Sequence, residues 1–281
     1  MRLKSIIRVL CVLVLAVIVI NFVIIWGSMR MLKVYEHTVY FADLPNHLEG
    51  VRILQISDLH NRSEYSQTLN IWPQVSRLQF DMVAITGDII LGGLPQLEPL
   101  RQDLKELAER VPVFFVEGNH EWFWEFRGMG FAPFMEEVGI TYLFDQRTTI
   151  DINGGPIDII GTRDFRHVER YSRLDQTYIP TLFAPSNNFQ LVLTHRPETI
   201  DFFDHTNVNF VLSGHTHGGQ IRLPFVDVMY APGQGFWPRF GEGFYDVNGI
   251  IMYVSRGVGA TYFPVRYWNR PVISIFELRG K

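Results

Sequence analysis

Five short stretches of this chain carry side chains suited to chemistry: Asp58-Leu59-His60, Gly87-Asp88, Gly118-Asn119-His120-Glu121, His195, and Gly214-His215-Thr216-His217. Carboxylate and amide oxygens with imidazole nitrogens suit Mn, Fe, Zn and similar divalent ions, and the lack of thiolates disfavours Cu(I) and iron–sulfur centres. Seven such ligands exceed one tetrahedral site and suit two ions that share a bridging carboxylate. An ion pair roughly 3.5–4 Å apart clamps the entering and leaving oxygens of an in-line displacement at phosphorus. A lone histidine or a lone Asp-x-His means little, since such residues ordinarily cap loops. Here five of the nine histidines follow apolar runs, each with an acidic, amide or glycine companion. His37, His47, His167 and His205 lack that setting and are taken as ordinary.

The elements that must position these groups are short buried strands. Residues 34–41 alternate and are rich in β-formers, and strands are also expected at 51–56, 82–86, 113–116, 157–160, 189–195, 207–215, 249–255 and 271–278. Helices are expected over 66–79, bent or restarted by Pro73, and over 94–108, where Leu94, Leu97, Leu100, Leu104, Leu107 and Ala108 recur at three- and four-residue steps. Further helical stretches are expected at 131–138 and 197–204. Strands alternate with helices early and follow one another more closely later, which points to an α/β domain with mixed sheets. Residues beyond the carboxyl ends of sheet strands converge on one crevice. Asp58, His60, Asp88, Asn119, His120, His195, His215 and His217 are therefore expected to meet. Asp58 and His60 share a side if their strand persists, and His215 and His217 face adjacent metals from one loop. Gly87, Gly118 and Gly214 permit a sharp exit from each strand and a close approach of backbone.

The N-terminus carries a different signal. Ile6 to Trp26 is apolar except for Arg8 and Asn21, and Val9 to Trp26 would span roughly 27 Å as a helix, about one bilayer core. A cleaved signal peptide would be shorter and end in a small-residue site, whereas this run ends in Trp26-Gly27-Ser28-Met29-Arg30. The expectation is an uncleaved single-pass anchor over 1–30 and a catalytic domain over 31–281. Arg2, Lys4 and Arg8 before the span outweigh Arg30 and Lys33 after it. The N-terminus is then cytoplasmic and the catalytic domain extracytoplasmic. The net charge of −4 with no basic run argues against nucleic-acid binding. A single cysteine, Cys11, excludes an internal disulfide. Nothing calls for an obligate protein partner.

Taken in order, the five blocks resemble the calcineurin-like metallophosphoesterases, whose pattern is D-x-H, G-D, G-N-H-[D/E], a lone His and G-H-x-H. "GHTHGGQIRLP" and the later "SRGVG" (255–259) are similar to a bacterial subgroup of membrane-attached phosphodiesterases and enzymes like UDP-2,3-diacylglucosamine pyrophosphatase. The resemblance implies a four-layer sandwich of two mixed sheets flanked by helices. It implies Asp58, His60 and His217 on one metal, Asn119, His195 and His215 on the other, and Asp88 bridging. It implies two divalent ions, with Mn favoured over Fe or Zn, and a water or hydroxide between them attacking phosphorus. His120 would protonate the leaving oxygen or bind phosphate. Glu121 stands where Asp is commoner and would orient His120. Arg196 and Arg222 adjoin ligand positions and are expected either to grip phosphate or to form surface salt bridges. Two aromatic segments, "EWFWEFRGMGFAPF" (121–134) and "APGQGFWPRFGEGFY" (231–245), either cover the sheet or form a rim toward lipid, where Trp and Tyr are favoured. The expected substrate is a phosphodiester or pyrophosphate, a phosphorylated small molecule or a lipid-linked envelope precursor. A phosphoprotein, a nucleotide and a non-catalytic metal-binding scaffold are the alternatives.

Overall fold

Along each central strand, neighbouring side chains bury into different cores. In the computed structural model, which describes residues 2–61, 69, 71–91, 97–125, 130–164, 181–223, 225–226, 228–261 and 265–281, the strands are β1 (Lys33–Phe41), β2 (Arg52–Ile56), β3 (Met82–Thr86), β4 (Val113–Val116), β5 (Thr141–Tyr142), β6 (Gln146–Ile152), β7 (Gly155–Gly161), β8 (Phe189–Leu193), β9 (Phe210–Ser213), β10 (Tyr230–Ala231), β11 (Gly235–Phe236), β12 (Gly243–Val247), β13 (Ile250–Val254) and β14 (Val272–Gly280). They form one sheet in the order β1-β14-β2-β3-β4-β5, a second in the order β12-β13-β9-β8-β7-β6, and the two-stranded ribbon β10-β11. Both large sheets are mixed. The runs β2-β3-β4 and β9-β8-β7 are parallel, while β14 meets β2 and β6 meets β7 antiparallel.

The period of two follows from strand geometry. Ile53, Met82, Ala84, Phe114 and Val116 point from the first sheet into a shared core with Ile159, Leu191, Leu193, Phe210 and Leu212 of the second. Their neighbours Leu54, Val83, Ile85 and Phe115 point outward, onto Leu100, Leu104, Leu107, Phe131 and Met135. On the far side Ile160, Val192, Val211 and Met252 pack against Leu182, Phe183, Ile200 and Phe203. The architecture is thus the expected four layers, two mixed sheets face to face with helical segments outside each. Strands buried on both faces read as continuous apolar runs, which is why they were legible.

Several local expectations are corrected. Of the 66–79 helix, 66–68 and 70 lie outside the described residues. In the remainder Leu69 is helical and a helical turn runs over Trp72–Val75, with Pro73 in its first turn. Leu94 also lies outside them, and the helix there is α-helical only over Arg101–Arg110, entered through a 3-10 turn at Glu98–Leu100 that contains Pro99. A proline lacks the N–H that an interior turn needs. Residues Pro197–Phe202 form a 3-10 helix.

The Arg2–Arg30 helix precedes β1. Side chains 3–20 are exposed throughout, and the helix is long and apolar enough to cross a membrane. It meets the domain toward its end, where the Tyr267 hydroxyl donates to Asn21 Oδ1 at 2.7 Å.

Candidate metal centre

Parallel strands put their carboxyl ends on one edge, and both sheets do so at the same end of the sandwich. The Gln55 amide, buried between them, donates to Thr86 Oγ1 and to the Ser213 carbonyl, each at 2.9 Å. Beyond these ends the chain turns sharply. Asp58, His60, Asp88, His215 and His217 all have positive φ, between 42° and 69°. Non-glycine residues rarely adopt that region, and such outliers cluster at functional sites. Asp58 and His60 therefore do not share a strand face. β2 ends at Ile56, and two left-handed residues aim the pair. Neighbouring loops hold one another: Asp58 N–H donates to the Gly87 carbonyl, His60 N–H to that of Asp88 and Gly214 N–H to that of His195. A Cβ on Gly118 would strike Asp88, and one on Gly214 would strike Ser57 and Asp58.

The ring nitrogens meet in two pairs. His60 Nε2 lies 3.0 Å from His217 Nε2, with Asp58 Oδ1 3.4 Å from the latter. His195 Nε2 lies 3.2 Å from His215 Nδ1 and 3.3 Å from Asp88 Oδ2. Asp88 Oδ2 is also 3.7 Å from His60 Nε2 and so stands between the pairs. Such separations are those of neighbouring ligands on a divalent ion with bonds near 2.0–2.1 Å. Asp58, His60 and His217 thus make one potential ligand set, and Asp88, His195 and His215 a second. The far ring edges are fixed by backbone. His60 Nδ1 donates to the Ile90 carbonyl at 3.3 Å and His195 Nδ1 to that of Thr86 at 2.8 Å, which directs each Nε2 inward. Arg196 Nη1 meets His215 Nε2 at 2.7 Å, turning its Nδ1 edge to His195.

The electrostatics call for cations. Burial pushes the Asp58 carboxyl up to about 6. Burial likewise takes His60 down to about 4 and holds His215 and His217 well below the ordinary imidazole range. Those three rings are neutral lone-pair donors. Burial also works against charge on His195, yet Asp88, by its charge and its hydrogen bond, carries that ring up to about 10. A proton on His195 does in part what a bound dication would do for Asp88. The donor set, its burial and its charge all fit divalent metal ions.

Asn119, His120 and Glu121 follow β4 after two residues. They open the Asn119–Glu125 helix. Asn119 and His120 are half-buried at the mouth, and Arg196 Nη2 donates to Asn119 Oδ1 at 3.5 Å. His120 Nδ1 donates to the Leu91 carbonyl at 3.1 Å, and its ring packs edge-on to His60 at 4.9 Å. Glu121 does not reach the His120 ring. Its carboxylate accepts the N–H groups of Asp88, Ile90 and Gly118 at 2.7–3.0 Å, so it braces the Asp88 loop. Burial raises it to about 8.

Arg196 is brought into the cluster and anchored by buried Asp164 at 2.5 Å. Arg222 is turned away to Glu242, which also holds Arg256. Of the histidines set aside, His37 packs among Phe244, Tyr253 and Phe276 and His205 is exposed. His47 bonds the Pro156 carbonyl, and His167 lies outside the described residues. Sequence reasoning missed Ser57, whose hydroxyl donates to Asp58 Oδ2 at 2.6 Å, and Asp164. The latter follows β7 as the other site residues follow their strands, so the same rule could have found it.

A two-sheet sandwich with buried Asp and His side chains gathered at its strand ends defines a metal-dependent phosphoester hydrolase. The chain belongs to the calcineurin-like phosphoesterase family, whose profile matches residues 51–219. It is 29% identical over 262 residues to the uncharacterized metallophosphoesterase YkuE of Bacillus subtilis, covering 89% of this chain and 87% of that protein. It is 29% identical over 205 residues to the phosphodiesterase YaeI of Escherichia coli, covering 70% of each. Among solved structures, TT1561 of Thermus thermophilus superposes with a TM-score of 0.49 at 13% identity, covering 74% of this chain and 89% of that one.

Proposed function

We propose that this dimetal phosphoesterase is held to a membrane by its N-terminal helix and cleaves a phosphodiester or pyrophosphate in a lipid-linked substrate. Asp58, His60 and His217 would hold one ion and Asn119, His195 and His215 the other, with Asp88 standing between the two sets. Divalent ions there, with Mn favoured, would supply Lewis acidity toward phosphate oxygens and an activated water near neutral pH. His120, with Nδ1 committed to the Leu91 carbonyl, offers Nε2 at the mouth to protonate the leaving oxygen. Arg196, aligned by Asp164, presents positive charge beside Asn119 and steadies the phosphate.

The observation that carries the lipid assignment is the apolar rim. Phe236 and Trp237 are 73% and 71% exposed, and Ile221, Leu223, Phe225 and Tyr230 are exposed beside them in sequence. Of the other aromatic segment, Phe131 is buried, while the 123–129 side chains lie outside the described residues. The rim adjoins the centre, because the ribbon turn at Gly233 approaches Arg196 and His215. It is also tied to the anchor. The Arg222 N–H donates to the Tyr267 carbonyl, whose own side chain bonds Asn21. Exposed aromatics beside an apolar helix suit a bilayer interface.

The test is turnover of bis-p-nitrophenyl phosphate against a lipid-linked phosphodiester in mixed micelles, with Mn present. Both should be cleaved by the detergent-solubilised chain, the lipid with the higher kcat/KM. Preference for a soluble nucleotide diester would overturn the lipid assignment and leave the centre intact.

A further inference from the structure

Outside the metal centre, one cleft of about 610 Å³ lies between the end of the anchor helix and the catalytic domain. That volume falls within the range of ligand clefts, roughly 300–1,000 Å³. One wall is apolar and comes from the helix and the residue after it, with Val23, Ile24 and Met31. The other is cationic, with Lys33, Arg256 and Arg270. No acidic residue lines it among the described residues. Arg256 is balanced by Glu242. The Lys33 ammonium lies against the Tyr35 hydroxyl and ring, and neither it nor Arg270 has an acidic partner among the described residues.

The depth of the cleft is informative. The apolar run Val9 to Trp26 rises roughly 27 Å as a helix, close to a hydrocarbon core of about 30 Å. The cleft straddles the end of that run, from Val23 to Lys33, where acyl chains give way to headgroups. Trp26 and Trp268, each 49% exposed, flank it, as aromatics do at membrane interfaces. Ser28, buried at its floor, adds a hydroxyl. An occupant must therefore be apolar along one side, anionic on the other, and present at this depth.

We infer that this cleft binds one anionic phospholipid of the bilayer, with acyl chain along Val23 and Ile24 and headgroup phosphate between Lys33 and Arg270. Charge-assisted bonds to phosphate favour such a pair of cations. The inference rests on the anchor reading alone and not on the identity of the substrate. The cleft shares no residue with the metal cluster. Arg256 lies close to Gly218, next to His217, and so places the lipid behind the second histidine of the GHTHGG loop.

The experiment is native mass spectrometry of the full chain released from micelles doped equally with phosphatidylglycerol and phosphatidylcholine. One phosphatidylglycerol should be retained over phosphatidylcholine by about tenfold or more. The Lys33→Gln/Arg270→Gln double variant should lose that preference while keeping its metal content and its turnover of bis-p-nitrophenyl phosphate. Equal retention of both lipids, or an unchanged preference in the double variant, overturns the site. Displacement of the lipid by excess inorganic phosphate overturns it too, since a free anion would then suffice. Alkaline carbonate washing of membranes tests the anchor separately. If the wild-type chain washes off, the anchor reading falls and takes the lipid site with it. If it stays bound while lipid selectivity is absent, only the site falls.

Discussion

Asp58 and His215 are buried, hydrogen-bonded to one another through backbone and reached through left-handed turns, while Phe236 and Trp237, beyond the Gly233 turn that approaches His215, stand in solvent. The ligand loops and the β10-β11 ribbon meet at Gly233 but follow opposite rules. In the loops each side chain has one place to go, because carbonyls, N–H groups and a neighbouring loop fix it. In the ribbon the apolar side chains have no partner among the described residues on their outer side. The first arrangement suits chemistry that needs set distances. The second suits recognition of a soft surface that supplies the missing contacts.

The largest effect should come from the shared carboxylate. Asp88→Asn removes the charge between the two nitrogen pairs and should lower kcat on bis-p-nitrophenyl phosphate by about 10³-fold or more. Metal analysis should show fewer than two ions retained per chain. An Asp88→Asn variant with full metal content and activity would break the contrast at its firm end. Next is Gly118→Ala, whose methyl collides with Asp88. Overpacking of this kind costs about 1–3 kcal/mol, measured as a drop in the denaturation midpoint with a loss of metal. Glu121→Gln should weaken metal binding by about 10–100-fold, as supporting partners of ligands do, because an amide cannot accept all three N–H groups that the carboxylate accepts.

Metal affinity should also rise with pH. In the metal-free chain His195, raised to about 10, carries a proton at neutral pH and must release it to bind. Titrations at pH 6 and pH 8 should therefore show tighter binding at the higher value, with net proton release. The smallest effect should come from Phe236→Ser with Trp237→Ser. This pair should leave turnover of the soluble diester unchanged and raise KM for a micellar lipid substrate severalfold. An equal loss on both substrates would mean that the ribbon belongs to the centre.

The same contrast explains what could be read in advance. β2, β3, β4, β8 and β9 are apolar on both faces, so their runs and the polar residues ending them stand out. The half-buried edge strands β6 and β12 alternate with polar residues and were not picked out. Helix boundaries failed at Pro73 and Pro99, where ring sterics leave short turns. The meeting of Asp58, Asp88 and His215 follows from strand topology, but the turns that aim them do not, since nothing in Asp58-Leu59-His60 announces two left-handed residues. Glu121 showed its type and position. Its role as a brace on the Asp88 loop needed coordinates.

β1 follows the N-terminal helix after two residues, and among the described residues its neighbour in the sheet is β14, matched residue for residue from Lys33↔Val272 to Phe41↔Gly280. A chain that has reached residue 250 already carries every histidine of the centre, yet β1 still lacks the strand it pairs with. The zipping of β1 onto the sheet therefore waits until residues 272–280 have been made. Ribosomes stalled short of residue 272 would leave the N-terminal helix joined to the ligand-bearing strands by an unzipped strand.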